Sequence, residues 1–186
     1  GFVRDAKDLI FTQVGEPFAV NRNIGGALFY GLSSSLDASL FASHLDVFTS
    51  LTWERGLNTA EGDDFERRRG DQIPNRPTLY GTFVVTGRLF DVLMRQAVLE
   101  AYWSARWVDE FFLFWESDGR PEAKTVIPAQ FIQDLGLTYD LESLAGTSTR
   151  LAFNAEVRNL TNEDAFDFFR VPRPGRALFL KLSAIY

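Results

Sequence analysis

Hydrophobic and polar residues alternate with a period of two along most of this chain, the pattern of strands whose two faces meet different surroundings. The cleanest stretch is the last. In Arg176 to Tyr186, Leu178, Leu180, Leu182, Ala184 and Tyr186 share one face, and Phe179, Lys181, Ser183 and Ile185 share the other. Between turn signals the same period marks eight candidate strands, near residues 1–13, 23–41, 45–55, 78–87, 92–108, 127–141, 149–160 and 176–186. In the second, Leu28, Tyr30, Leu32, Leu36 and Leu40 alternate with Phe29, Gly31, Ser33, Asp37 and Ser39. In the fifth, Leu99, Trp103 and Trp107 alternate with Glu100, Ser104 and Arg106. Alternation alone also suits a half-buried strand of a soluble sandwich. Length separates the two cases. Soluble strands typically run about 5 or 6 residues, whereas about 10 tilted residues cross a bilayer's hydrocarbon with one face on lipid and the other on a hydrated lumen. Several of these strands exceed that length, and the last ends on an aromatic residue suited to a membrane interface.

The connections fall into two kinds that alternate along the chain. Those around 42–44, 87–91 and 142–148 are short, and the segments 56–77, 109–126 and 161–175 are long. Outer-membrane barrels show this asymmetry, with short periplasmic turns and long extracellular loops. The spacing therefore predicts an all-β, antiparallel transmembrane β-barrel segment of about eight strands, its last strand ending on the periplasmic side.

Composition narrows the chemistry. No run of about 18 apolar residues is present to form a membrane helix, which a barrel does not need. Phe, Trp and Tyr make up 15% of the chain, enough for two aromatic girdles. Cysteine is absent, so disulfides and thiolate metal sites are excluded. The net charge of −6 opposes binding to a nucleic-acid backbone. The single histidine, His44, sits with Ser43 in a predicted tight turn with little around it to build a triad, and Gly25 and Gly26 lie within a strand rather than in a phosphate-binding loop. No enzymatic activity, metal or cofactor is expected.

With the strands placed, the chain resembles the C-terminal part of the β-barrel of TonB-dependent outer-membrane receptors. The similarity runs in order through Arg4 to Ile10, Asn23 to Gly31, Ser50 to Glu54, Ile73 to Pro77 and Ile127 to Tyr139. It is most specific in Asn154 to Arg176, NAEVRNLTNEDAFDFFRVPRPGR, followed by the terminal strand. The resemblance implies a barrel of about 22 strands in the bacterial outer membrane that takes up a scarce ligand. The plug domain, the TonB box and about 14 earlier strands of that family have no counterpart in this sequence. They are expected on another chain or a cleaved fragment, so TonB would act on this chain only indirectly. Outer-membrane lipid and the barrel-assembly machinery are the other implied partners, with Leu178, Leu180, Leu182 and Tyr186 as the assembly signal. Incompleteness has a second motive. Arg4, Asp5, Lys7 and Asp8 place charge on both faces of the first strand, and a charge facing mid-bilayer lipid costs about 2 to 4 kcal/mol. That stretch belongs at or above the outer interface, leaving Gly1 to Val3 below it and the rest of the crossing to other sequence.

Several side chains are candidates for function, each beside a plainer role. Asp37, Glu54, Glu100, Arg106, Asp134, Glu156, Arg158 and Lys181 share the predicted lumen face, where they line a ligand route or grip a plug, or bridge one another across strands. Arg67, Arg68 and Arg69 stand in the 56–77 loop, able to capture an anionic ligand such as a ferric siderophore, or serving as solvated charge. The carboxylates of that loop lack calcium-loop spacing. Phe111, Phe112, Phe114 and Trp115 offer a stacking surface for a ligand or an anchor in the membrane interface, and Asp164 to Arg170 repeats the aromatic theme. Transport is the leading expectation. The alternatives are an outer-membrane scaffold that has lost transport, a self-contained eight-stranded barrel, and a soluble β-sandwich whose Leu and Trp faces form a core.

Overall fold

The structure, a computed structural model of residues 1–186, describes all of the chain except 14–19, 63, 118–125, 143–148 and 167–170, and the side chains of 12 and 13. The fold is all-β. Eight long strands form one antiparallel sheet: β1 (Phe2–Gln13), β2 (Val20–Leu40), β3 (Leu45–Asn58), β4 (Leu79–Phe90), β5 (Ala97–Val108), β8 (Gln130–Leu141), β9 (Arg150–Arg158) and β10 (Ala177–Ile185). The connection between β5 and β8 carries a two-residue hairpin, β6 (Phe111–Phe112) with β7 (Val126–Ile127), and the β3–β4 connection carries a single 3-10 turn at Glu66–Arg68. Spatial order follows chain order, and β1 and β10 stand at opposite edges, so the sheet is not closed.

All eight expected strands are present with shifted bounds: β2 begins earlier, at Val20, β8 begins later, at Gln130, and two shifts have a visible local cause. β4 runs on to Phe90 and β5 begins at Ala97, so the short turn expected at 87–91 lies at 91–96. The cause is local. Asp91 Oδ1 accepts from Gln96 N at 2.8 Å and Asp91 N donates to Ala97 O at 2.7 Å, closing the turn there, while Gly87 stays in register opposite Leu45 and Ala101. β3 extends to Asn58 because the returning loop pairs with it, Asn58 N donating to Asp71 O and Ile73 N to Gly56 O. The expected turn at 42–44 is present, with His44 Nδ1 2.7 Å from Phe41 O and its ring edge-on to Phe90. The turn expected at 142–148 lies almost entirely outside the described residues.

Register sorts the side chains. Cross-strand partners share a face, and one line of partners runs Leu36, Thr49, Phe83, Ala105 and Gln133 while the next runs Leu32, Trp53, Leu79. Neighbouring lines of the same face reach the far edge as Trp103, Leu135, Val157, Leu178 and as Ala101, Leu137, Ala155, Leu180. This face is predominantly apolar, and among the described residues much of it is exposed, with Leu32 58%, Leu51 50%, Leu180 64% and Leu182 75% exposed, while Ala97, Ala105 and Leu141 on the same parity are buried. Its one amide, Gln133, accepts a hydrogen bond from Trp103 Nε1 at 3.2 Å, so neither group is left without a partner. Tyr30 and Trp53 meet edge-to-face at the loop end of the face, and Asp5 and Lys7 stand beyond them toward the loops.

The apolar core lies instead at the long-loop end, on the other side of the sheet. Phe11, Ile24, Ala27, Phe29, Ala60, Phe65, Ile73 and Trp115 pack into one buried cluster. In β1 and β2 the buried positions change parity, from Ala6, Ala27 and Phe29 to Leu9, Phe11 and Ile24, across Asp8 and Gly25, the two residues at which the ladder between the strands is interrupted. Asp8 there has φ 53°, a left-handed conformation that turns the strand over so both halves feed the cluster.

Close backbone approach makes one glycine testable. A Cβ on Gly31 meets Trp53 O at 2.4 Å and the Phe2 ring at 2.8 Å, whereas one on Gly87 finds only His44 O at 4.0 Å. Gly31→Ala is expected to destabilise the sheet by about 1 to 3 kcal/mol and Gly87→Ala to leave it within about 0.5 kcal/mol, as read by thermal unfolding in detergent.

Candidate functional site

The face opposite the apolar one is polar and cross-linked. Near the short-turn end Ser39 Oγ donates to Asp46, Asp46 pairs with Arg88, and Arg88 Nε reaches Glu100 Oε2 at 2.7 Å, a chain of bonds that crosses β2, β3, β4 and β5. In the same row Thr138, the cross-strand partner of Glu100, donates through Oγ1 to Asn154 Oδ1 at 2.9 Å, and Lys181 stands opposite Asn154 on β10. Arg150 donates to Asp140, with Nε 3.0 Å from Oδ1. Alternation across a registered ladder leads to this outcome, because every residue of one parity is delivered to one side. All eight residues expected on the lumen face lie on this side.

Toward the long loops the polar face holds two recesses. One, of about 570 Å³, lies among Glu54, Tyr80, Thr82 and Arg106 beneath the segment Ile73 to Pro77. The other, of about 680 Å³, lies among Arg106, Asp134, Glu156, Arg158, Arg173 and Phe179. Arg106 borders both. In the second, Glu156 Oε1 accepts from Arg158 Nε at 2.6 Å, and the Arg158 guanidinium lies 4.6 Å from the centre of the Phe179 ring. Tyr102 lies across Gly136, where a Cβ would come within 2.0 Å of its ring. The recess thus offers cationic and aromatic surface with two carboxylates at its margin, suited to a ligand or protein segment carrying negative charge and flat apolar surface. Of the side chains expected to work together, Arg106, Glu156 and Arg158 meet here. Glu100 lies nearer the short turns, occupied by Arg88, and Lys181 is not among the lining residues.

The loops depart from expectation. Arg67, Arg68 and Arg69 do not form one cationic patch: Arg69 Nη1 pairs with Glu61 at 2.6 Å, Arg68 is buried with its guanidinium 5.4 Å from the centre of the Trp115 indole, and Arg67 is exposed. A 3-10 turn of three residues points consecutive side chains in different directions, which is why adjacency in sequence does not become adjacency in space. Trp115 is not a ligand-stacking ring. It is 1% exposed, edge-on to Phe11 at 5.5 Å and beside Phe65 at 5.7 Å, and Nε1 has no hydrogen-bond partner among the described residues. Phe111 is buried with Leu113 and Ile127, and Phe112 is half-buried on the opposite side of the β6–β7 hairpin. The aromatic part of Asp164 to Arg170 falls mainly on 167–170, outside the described residues.

What ties the loops down was not among the expected residues. Asn58 is fully buried, donating through Nδ2 to Phe65 O at 2.8 Å and accepting from Ala60 N at 2.9 Å. Asp71 accepts from Ser117 N at 3.2 Å, and Asn75 N donates to Phe112 O at 2.8 Å, joining the β3–β4 loop to the β5–β8 loop. The Asn-Leu-Thr-Asn segment has a comparable part in the last hairpin. Asn159 and Asn162 both hold left-handed backbone, at φ 51° and 57°. Asn159 closes the turn with Glu163, and Asn162 Oδ1 accepts from Arg176 N at 2.9 Å. A Cβ on Gly175 would sit 2.9 Å from that same oxygen, which accounts for glycine in the Pro-Gly-Arg that follows. Asparagine at the end of a strand was the available signal for both, since its side chain satisfies turn backbone and tolerates φ > 0.

No family model matches the chain, and no curated protein matches it. Among solved structures, the crystal structure of BauA, the ferric preacinetobactin receptor from Acinetobacter baumannii, is similar, with a TM-score of 0.68 and 14% identity over 98% of this chain. The match covers 26% of BauA, so the chain spans about a quarter of that receptor's length. The likeness shows the fold: this sheet is folded as a sector of that receptor is.

Trp115 is the member of the loop core whose removal is most informative. Trp115→Ala is expected to cost about 3 to 5 kcal/mol of local stability and to open the 59–78 loop to limited proteolysis. Trp115→Phe keeps ring packing without the partnerless N–H and should stay close to the parent in the same digest.

Proposed function

We propose that this chain is part of the wall, with its external loops, of a receptor-like transporter barrel in the bacterial outer membrane. The observation that carries the proposal is the uncovered apolar face. A water-soluble sheet of this size buries such a face against a second layer, and exposed apolar patches beyond a few hundred Å² mark an interaction surface. Here the exposed leucines of the long strands follow one parity from Leu32 on β2 to Leu182 on β10, the distribution a lipid-facing wall requires. The polar side then faces a hydrated lumen, the long loops face outward, and the short turns face the periplasm. The fold shared with a sector of BauA agrees with a receptor-like role.

In this proposal the two edges, β1 and β10, pair with further strands to complete the circumference, since an exposed edge in a bilayer leaves backbone groups without partners. A plug supplied elsewhere in the assembly occupies the lumen and is held by the polar face, and energy from TonB reaches this chain only through that plug. The loops receive the ligand, and the recess around Arg106 and Arg158 lies on its path. The self-contained small barrel is disfavoured by the placement of β1 and β10 at opposite edges of the sheet.

Paired charge insertions test the membrane. In lipid, Leu51→Arg is expected to cost about 2 to 4 kcal/mol and to deplete the protein from washed membranes, while Ser50→Arg, on the polar face, is tolerated. In water Leu51, already half exposed, would accept arginine nearly without cost. Equal recovery of the two variants, in a fraction that needs no detergent, would remove the proposal.

A further inference from the structure

The turn at 91–96 reads Asp-Val-Leu-Met-Arg-Gln, whereas a turn that ends in water draws mainly on Gly, Asn, Asp, Ser and Pro. Its closure needs none of the apolar side chains. Asp91 closes it through its bonds to Gln96 N and Ala97 O, and Ala97 N donates to Met94 O at 3.3 Å. Leu93 stands at the tip, 92% exposed, with exposed Met94 beside it. Leu93 also holds φ 64°, a left-handed backbone that a bulky side chain disfavours and that asparagine or glycine takes more readily. The neighbouring turn repeats the pattern: Phe41, at φ 52°, is 76% exposed and directly follows Leu40 of the apolar face. Both tips keep a large apolar group where the backbone resists it and the chain covers little of it.

Tyr139 shows on which side of the sheet the 91–96 turn is held. It belongs to the apolar row Leu89, Leu99, Tyr139, Phe153 and Leu182, and its hydroxyl donates to Val92 O at 2.9 Å. That bond draws the turn toward the apolar side, next to exposed Leu89. The following residue but two, Arg95, is exposed and makes no ion pair among the described residues. The polar-face arginines of this end differ, Arg88 being matched with Asp46 and Glu100 and Arg150 with Asp140.

We propose that the 91–96 turn is a lip set into the periplasmic leaflet, with Leu93 and Met94 among the upper acyl carbons and Arg95 on the phosphates of phospholipid headgroups. An apolar tip continuous with a lipid-facing surface, a tyrosine at its base and a cation beside it form the combination that holds a segment at the boundary of headgroup and hydrocarbon. A soluble protein partner would reach this tip only by displacing the lipid that covers Leu89 next to it. The inference rests on the membrane placement proposed above. It goes beyond that placement by inserting a turn that would otherwise hang in the periplasm.

Because the chain has no cysteine, a single introduced one takes a probe at a known place. The assembled protein is purified in detergent and reconstituted into vesicles of phosphatidylethanolamine and phosphatidylglycerol. It carries a bimane label on Leu93→Cys, on Ser35→Cys of the polar face or on Leu51→Cys of the apolar face, with the equally treated parent as background. Quenching is read with a phospholipid spin-labelled high on its acyl chain and with iodide in the water. The ratio of lipid to iodide quenching at Leu93 is expected to be about fivefold above that at Ser35, and Arg95→Glu should lower it about threefold. A ratio at Leu93 equal to that at Ser35, or one unmoved by Arg95→Glu, would overturn the inference. So would a Leu93 label shielded from iodide in native membranes but open to it in the vesicles, the result a protein partner gives. The Leu51 label separates the two readings: lipid quenching there keeps the membrane placement even when the lip fails, and its absence removes the placement itself.

Discussion

The backbone ladder is the interaction on which the rest of this structure depends. Each of the eight long strands is hydrogen-bonded to its neighbour in constant register, so a residue's face is set by its parity and by the strand beside it. A slip of one residue in any pairing would send leucines and tryptophans to the polar side and Asp46, Arg88 and Glu100 to the apolar side. The two sides therefore hold the register from opposite directions. On one, Ser39, Asp46, Arg88 and Glu100 bond across four strands, and on the other, pairs such as Phe83 with Trp103 meet edge-to-face at 5.6 Å.

This arrangement inverts the usual place of the hydrophobic core. In a soluble domain the apolar faces of sheets meet one another; here much of the apolar strand face is exposed and the two buried clusters among the described residues lie at the loop end. Phe11, Phe65, Ile73 and Trp115 come from β1 and from the two longest described connections, and together they convert those loops into a packed cap. The cap adjoins function. The same segment that supplies Ile73 to the cluster supplies Pro74 and Arg76 to two recesses, so anything that loosens the core shifts both together.

The polar side separates into regions with different work. Near the short turns carboxylate and guanidinium groups are matched at short distance, a mutual arrangement that stiffens the wall. Near the loops Arg106 borders two open recesses, and Arg158 divides its attention between Glu156 and the Phe179 ring. Charge that is less fully matched, beside aromatic surface and next to a tightly paired lattice, can exchange its partners at smaller cost than the groups near the short turns.

The sequence by itself determined the strands, their alternation and the division between short and long connections. Period-two patterning is a local property, and a backbone that must satisfy its own hydrogen bonds has few other ways to use it. It also contained Asn159, Asn162 and Gly175 as turn chemistry, although their partnership with Glu163 and Arg176 needed the hairpin to close. The loops were a different matter. Three consecutive arginines read as one patch and four neighbouring aromatics read as one surface, yet the structure buries Arg68 against Trp115, ties Arg69 to Glu61 and turns Phe111 and Phe112 to opposite sides. Those outcomes depend on which loop meets which strand, through Asn58, Asp71 and Asn75. Contacts between distant segments are set by packing energies summed over the whole cap, which no local periodicity encodes.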